Sequence, residues 1–105
     1  MTDRELLELA AKAIGDSATE YNERKGVWLE RAKCWWNPRD DDGDALRLAV
    51  RLGLDVEMHG CNSTHPYACA FDCQKNIAEE VQLEDGDPYA ATRRAIVRAA
   101  AEMAK

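Results

Sequence analysis

The chain is predicted to fold as an α+β domain in which a small antiparallel sheet of three to four strands packs with three helices. Three features carry that expectation. Residues 36–50 and 87–100 each open with acidic capping chemistry and continue as an amphipathic stripe, which marks two helices. Between them, residues 54–59 and 67–74 alternate apolar and polar with period two, the pattern of half-buried strands. With 105 residues, 46% of them apolar, the chain is long enough to bury one core and calls for no linker, so a single domain over residues 1–105 is expected.

Taken in order, Thr2 followed by Glu5 is a capping box, and Leu6, Leu9, Ala10 and Ala13 recur at helical spacing until Gly15 offers a left-handed stop. Residues 16–26 are polar and turn-rich. Val27, Trp28 and Leu29 then begin an apolar segment that reads as a short strand, although its alternation fails at Glu30 and Arg31. Pro38 disfavours helix at Asn37. The following aspartates supply an N-cap, Asp41 or Asp40, with further carboxylates in the first turn where the helix dipole favours them. A second helix is expected over residues 42–52, with Ala45, Leu46, Ala49, Val50 and Leu52 as its buried stripe and Gly53 as its end.

In the first alternating segment Leu54, Val56 and Met58 share one face, and Asp55, Glu57 and His59 the other. After a turn at residues 60–66, Tyr67, Cys69, Phe71 and Cys73 share a face assigned to the core, opposite Ala68, Ala70, Asp72 and Gln74. The two alanines are small enough to admit a helix on that face as well. Residues 77–81 fit both periods and are read as a further strand. Asp87 and Pro88 open the third helix, whose stripe of Tyr89, Ile96, Ala99, Ala100 and Met103 runs almost to the end of the sequence.

The formal net charge of −6 repels phosphate, which argues against nucleic acid and anionic lipid as partners and leaves an acidic inhibitor open. Residues 1–5 lack the basic patch and apolar run of a secretory signal, and no stretch approaches the roughly 18 apolar residues of a membrane span. A cytoplasmic location is therefore expected. The 4 cysteines are expected to be thiols there.

The sharpest chemical hypothesis is a zinc or redox site, because His59, Cys61, His65, Cys69 and Cys73 are close in sequence and thiolates with imidazoles are the ligands zinc prefers. Their spacing opposes it. Cys61 and Cys69 are eight residues apart, and Cys69 and Cys73 would lie roughly 13 Å apart along a strand rather than on a tight knuckle, too far for both to reach one ion easily. Buried free thiols filling the core are the expected state, and no metal or cofactor is assigned. Cys61 beside a histidine lacks any accompanying sign of an oxyanion hole or third catalytic group.

Asp40, Asp41, Asp42 and Asp44 offer hard oxygen ligands for a divalent cation, but calcium-loop spacing fails: Gly43 in the sixth position puts Pro38 first and no glutamate twelfth. Capping and dipole compensation account for the run. A small hydrolase or nuclease, which would rest on these aspartates alone, is set aside. Arg93, Arg94 and Arg98 form the one concentrated positive patch and are expected to be solvated or paired internally near Asp85, Asp87 and Glu102. Trp35 and Trp36 are adjacent, so in extended backbone only one ring can face the core, and the other is available to anchor a partner. There is no Gly-rich phosphate loop and no Gly-x-Ser-x-Gly elbow; Ser17 and Ser63 are the only serines.

The stretch Trp36-Asn37-Pro38 with residues 41–52, taken together with residues 91–100 and the opening helix of residues 5–13, resembles the phage "ABA sandwich" domain family, small proteins encoded in phages and prophages. The resemblance implies an α-β-α layered sandwich and a viral or prophage origin, and it brings no catalytic residues with it. Residues 60–80, with their cysteines and histidines, are the most individual part. The expected function is that of a non-enzymatic phage accessory protein that binds a host or phage protein through Trp35, Asp40, Asp41 and Asp42. The alternative is a Cys/His metal-binding or redox module.

Overall fold

A computed structural model describes residues 1–59, 66–83 and 87–105. Its elements are α1 (Asp3–Ala13), β1 (Ala18–Asn22), β2 (Gly26–Leu29), β3 (Cys34–Trp36), α2 (Asp42–Leu52), β4 (Asp55–His59), β5 (Tyr67–Asp72), β6 (Ile77–Gln82) and α3 (Pro88–Ala104). The fold is α+β, as expected, with three helices and antiparallel strands among the described residues. The strands divide into two three-stranded sheets, β1-β2-β3 and β4-β5-β6.

Each helix starts on the chemistry its sequence offers. The Thr2 hydroxyl accepts from the Glu5 backbone N–H at 3.2 Å and donates to the Glu5 carboxylate at 3.2 Å. Asp41 caps α2 by accepting from the Asp44 N–H at 2.8 Å, and Gly53, at φ 67°, ends it in the left-handed conformation expected there. Asp87 accepts from the N–H groups of Tyr89 and Ala90, with Pro88 in the first helical position. Residues 42–52, 77–82 and the start at Pro88 match the sequence expectation closely.

The first sheet was legible only at Val27, Trp28 and Leu29. β1 exposes most of its side chains and β3 has 3 residues, so neither leaves a hydrophobic period to detect. Local polar groups hold this sheet's turns instead. Asn22 Oδ1 accepts from the N–H groups of Arg24 and Lys25, closing β1 onto β2. Asp16 accepts from the N–H groups of Ser17, Arg31 and Ala32, so the loop after α1 clasps the turn between β2 and β3.

The core is built around α3. Ala91, Ala95, Ile96, Val97, Ala99, Ala100 and Ala101 are buried on nearly every side of this helix, so it lies inside the molecule rather than on its surface. It packs against α1, α2 and the second sheet, while α1 also packs against β1 and β2 and so links the two sheets. Leu7, Ala10 and Ala11 of α1 share one cluster with Val27, Leu29 and Trp36 of the first sheet and Ala68 and Ala70 of the second. Alanine on both sides of the α3–β5 contact lets backbones approach closely, which suits a sequence with 7% aromatic residues.

That packing corrects four expectations about faces. Ala68 and Ala70, both 0% exposed, form the core face of β5, whereas Tyr67, Cys69 and Phe71 lie on the opposite face. The reason is size: α3 reaches the sheet where the side chains are smallest. On α2 the buried stripe is Ala45, Leu48 and Ala49, while Leu46 and Val50 are 63% and 73% exposed. α2 packs against α3, its buried arc lies at positions 45, 48 and 49 with Leu52 partly buried, and residues 46 and 50 fall outside that arc. β4, expected to be half-buried, exposes all five of its residues because α3 packs chiefly over β5 and β6 and reaches β4 little, and Tyr89 at the start of α3 is likewise 68% exposed.

Candidate functional site

The aspartates following Pro38 share a neighbourhood but not a target. Asp40 accepts from Arg39 Nε at 3.0 Å and from Asn37 Nδ2 at 3.1 Å. Asp41 caps α2, Asp42 pairs with Arg93 at 2.6 Å, and Asp44 accepts from the Asn37 N–H at 2.9 Å and from Arg47 at 2.8 Å. Burial works against ionisation of Asp40, but the hydrogen bonds from Arg39 and Asn37 and the charges of Arg39 and Arg93 outweigh it and hold its carboxyl below the usual range. The four carboxylates thus serve a helix cap and ion pairs, with Asn37 bonded to both Asp40 and Asp44.

Of the adjacent tryptophans, Trp36 faces the core and is 7% exposed. Trp35 lies on the other face of the first sheet, half-buried against the edge of Trp28 at 5.7 Å, with the Lys25 ammonium 5.5 Å from its ring centre. Its ring is therefore already covered in part from within the chain.

The thiols are spread over the fold. Cys34 is exposed on β3, Cys73 is exposed just beyond β5, and Cys69 is buried in the middle of β5, opposite Glu57 of β4 and Glu80 of β6; all three are free. Burial, and then the charges of Glu80, Glu57 and Glu79, push the Cys69 thiol up, the reverse of what an activated nucleophile needs. His59 stacks on Tyr67 at 4.6 Å, and its Nε2 lies 2.8 Å from the Glu57 carboxylate. The strand register places His59 on the same face as Cys69, which corrects the expectation that the two lie on opposite faces. Among the described residues no group of three His, Cys, Asp or Glu side chains is arranged to hold a metal ion. Cys61 and His65 lie outside the described residues.

Of the arginines, Arg93 is paired internally, as expected: besides Asp42 it reaches the Arg39 carbonyl through Nε at 2.9 Å. Arg94 and Arg98 line a cleft of about 330 Å³ between β6 and α3, facing Glu80, Gln82 and Asp87.

A larger opening was not anticipated from the sequence. Between α2, β4 and α3 runs a groove of about 520 Å³, lined by Leu46, Val56, Met58, Tyr89 and Ile96 and bounded by the Asp42–Arg93 pair. Leu46, Val56, Met58 and Tyr89 all count among the exposed large hydrophobic residues, and Val50 extends the strip by one helical turn beyond Leu46. The sequence signal was present: with Leu46 and Val50 added to 45, 48 and 49, α2 carries more apolar surface than one contact requires. Comparison of the chain with protein-family models, curated proteins and solved structures gives no significant match. No described helix is long and apolar enough to cross a membrane.

Proposed function

We propose that this chain is a non-enzymatic protein-binding module whose contact surface is the groove between α2, β4 and α3. One observation carries the proposal: Leu46, Val56, Met58 and Tyr89, from three separate elements, converge on one opening while remaining 40–68% exposed. Scattered surface leucines are ordinary, whereas a contiguous apolar strip with polar margins is what a partner surface needs. Tyr89 adds a large amphipathic ring of the type that dominates interface energetics. Asp42, at the groove's boundary, belongs to this surface; Trp35, partly covered by Trp28 and Lys25, is the weaker anchor.

The other described reactive groups support the same reading, since the aspartates are engaged in capping and ion pairs and the surroundings of Cys69 disfavour its thiolate. The partner is a host or phage protein, in keeping with the likeness of the helical blocks to the phage ABA sandwich family. Immobilised parent protein is exposed to bacterial lysate alongside a Leu46→Gln/Tyr89→Ser variant and a Trp35→Ala variant. Proteins held by the parent and by Trp35→Ala, but released by the groove variant, are the expected result. Identical retention by all three, or none by any, would refute the proposal.

A further inference from the structure

Resting on that reading of the groove, we infer that its occupant is an extended segment of alternating apolar and basic residues that adds to the edge of β4 left unpaired by the described strands. β4 ends the order β4-β5-β6, pairs with β5 on one side, and exposes all five of its residues. An edge of this kind presents backbone N–H and C=O groups for pairing with another chain, and strand addition is a recurring way of binding peptides.

Register dictates what such a segment must carry. Side chains of an added strand alternate between the two faces of the sheet, each about 4.5–5.5 Å from its cross-strand neighbour. On one face they meet Val56 and Met58 and continue into the groove beside Leu46 and Tyr89, so they must be apolar. On the other they meet Asp55 and Glu57, the latter 2.8 Å from the His59 ring on the same face, with Glu80 two strands further in; carboxylates outnumber the imidazole there, and cationic side chains suit that face. The chain's net charge of −6 adds a long-range pull of the same sign.

A second copy of the chain fits worse. In the antiparallel pairing of two copies that sets all five residues of β4 against one another, Val56 meets Met58 and Asp55 meets His59, but Glu57 falls directly against Glu57, and like charges in that position are destabilising.

Fluorescein-labelled synthetic heptapeptides provide the test: alternating Lys and Val, the same residues in two blocks, and alternating Glu and Val, each titrated against the full chain by anisotropy. The alternating Lys/Val peptide is expected to bind about tenfold or more tighter than either control, and both Glu57→Lys and Leu46→Gln/Tyr89→Ser should weaken it by a similar factor. In the parent, amide hydrogen exchange at residues 55–59 should slow when the peptide is bound, a readout that needs no variant to fold. Equal binding of the blocked isomer, or unchanged exchange at β4, would overturn strand addition. A concentration-dependent dimer in sedimentation that Val56→Asp abolishes would assign the edge to a second copy instead. Groove-dependent capture from lysate without binding of any of the peptides would remove this inference and leave the protein-binding reading standing; loss of both would remove the two together.

Discussion

Arg93 of α3 and Asp42 of α2 meet at 2.6 Å, and the same guanidinium donates through Nε to the Arg39 carbonyl at 2.9 Å. One side chain thereby ties the start of α2, and the segment leading into it, to the central helix. The two partners are unequal, because the Arg93 side chain is 16% exposed and that of Asp42 65%. Arg93→Ala removes two charge-assisted hydrogen bonds and is expected to cost about 1.5–3 kcal/mol. Asp42→Asn loses one exposed ion pair and should cost about 0.5–1 kcal/mol. Urea unfolding of the two variants checks the ordering, and equal losses would contradict it.

Asp16 should make part of the stability depend on pH. Burial opposes its ionisation, yet backbone N–H groups of Arg31, Ser17 and Ala32, with the Arg31 charge, outweigh that and lower its pKa. A carboxyl lowered on folding contributes stability that is fully present above its unfolded pKa, about 3.9, and is lost as pH falls through the lower folded value. Asp40 behaves in the same sense. Asp16→Ala is expected to cost about 1–3 kcal/mol at neutral pH, through unpaired amides at the β2–β3 turn, and far less near pH 2. Thermal melts of parent and variant between those limits measure the difference, and a gap that does not narrow with acid would count against this role.

Cysteine labelling should rank the described thiols by exposure and by charge. Cys34 and Cys73 are exposed, whereas Cys69 is buried among Glu57, Glu79 and Glu80, which disfavour its thiolate. Iodoacetamide at mildly alkaline pH, followed by peptide mapping, is expected to modify Cys34 and Cys73 well before Cys69. Early labelling of Cys69 would mean that β5 opens readily from its neighbours.

Gly26 opens β2 at φ +85°, in the left-handed region. A Cβ there would run into the Trp36 carbonyl and Asn37 of the adjoining β3 end, where the backbone has little room to move. Gly26→Ala is expected to destabilise by about 2–4 kcal/mol through combined strain and overlap. Gly53, also at positive φ, meets nothing within 4 Å and should tolerate alanine better, at roughly 1 kcal/mol. Comparing the two denaturation midpoints separates conformational strain from steric overlap.

How far these features were legible in the sequence depended on whether the cause was local. Thr2, Asp41, Gly53, Asp87 and Pro88 act on their own backbone, so helix limits and caps could be read directly. Residues 18–22 and 34–36 are strands because of their partners, as Tyr21 pairs with Val27 and Trp35 with Trp28, and nothing in their own pattern announces it. Facing was hardest. Periodicity placed Cys69 with Tyr67 and Phe71 correctly, but which side of β5 meets α3 was decided by the fit of Ala68 and Ala70 to an alanine-rich helix. The groove stayed hidden for the same reason: Leu46 and Tyr89 fit the apolar stripes of their helices, and only the way α2 packs on α3 leaves them uncovered.

Leu46 and Leu48 separate folding from binding within one turn of α2. They are two positions apart and chemically identical, yet Leu48 is 2% exposed and Leu46 63%. Leu48→Ala opens a cavity in the shared core and is expected to cost about 2–4 kcal/mol. Leu46→Gln keeps helix propensity, removes little buried area and should stay within about 0.5 kcal/mol of the parent. A leucine retained for folding would reverse that expectation, because covering its side chain contributes about 1.5–3 kcal/mol only where water is excluded. The decisive pair of measurements is the unfolding free energy and partner capture of each variant at a temperature where both are folded. Unchanged stability with lost capture in Leu46→Gln, against lost stability with retained capture in Leu48→Ala, is the expected pattern. A Leu46→Gln variant as unstable as Leu48→Ala would make the groove wall part of the core and leave no separate surface for a partner.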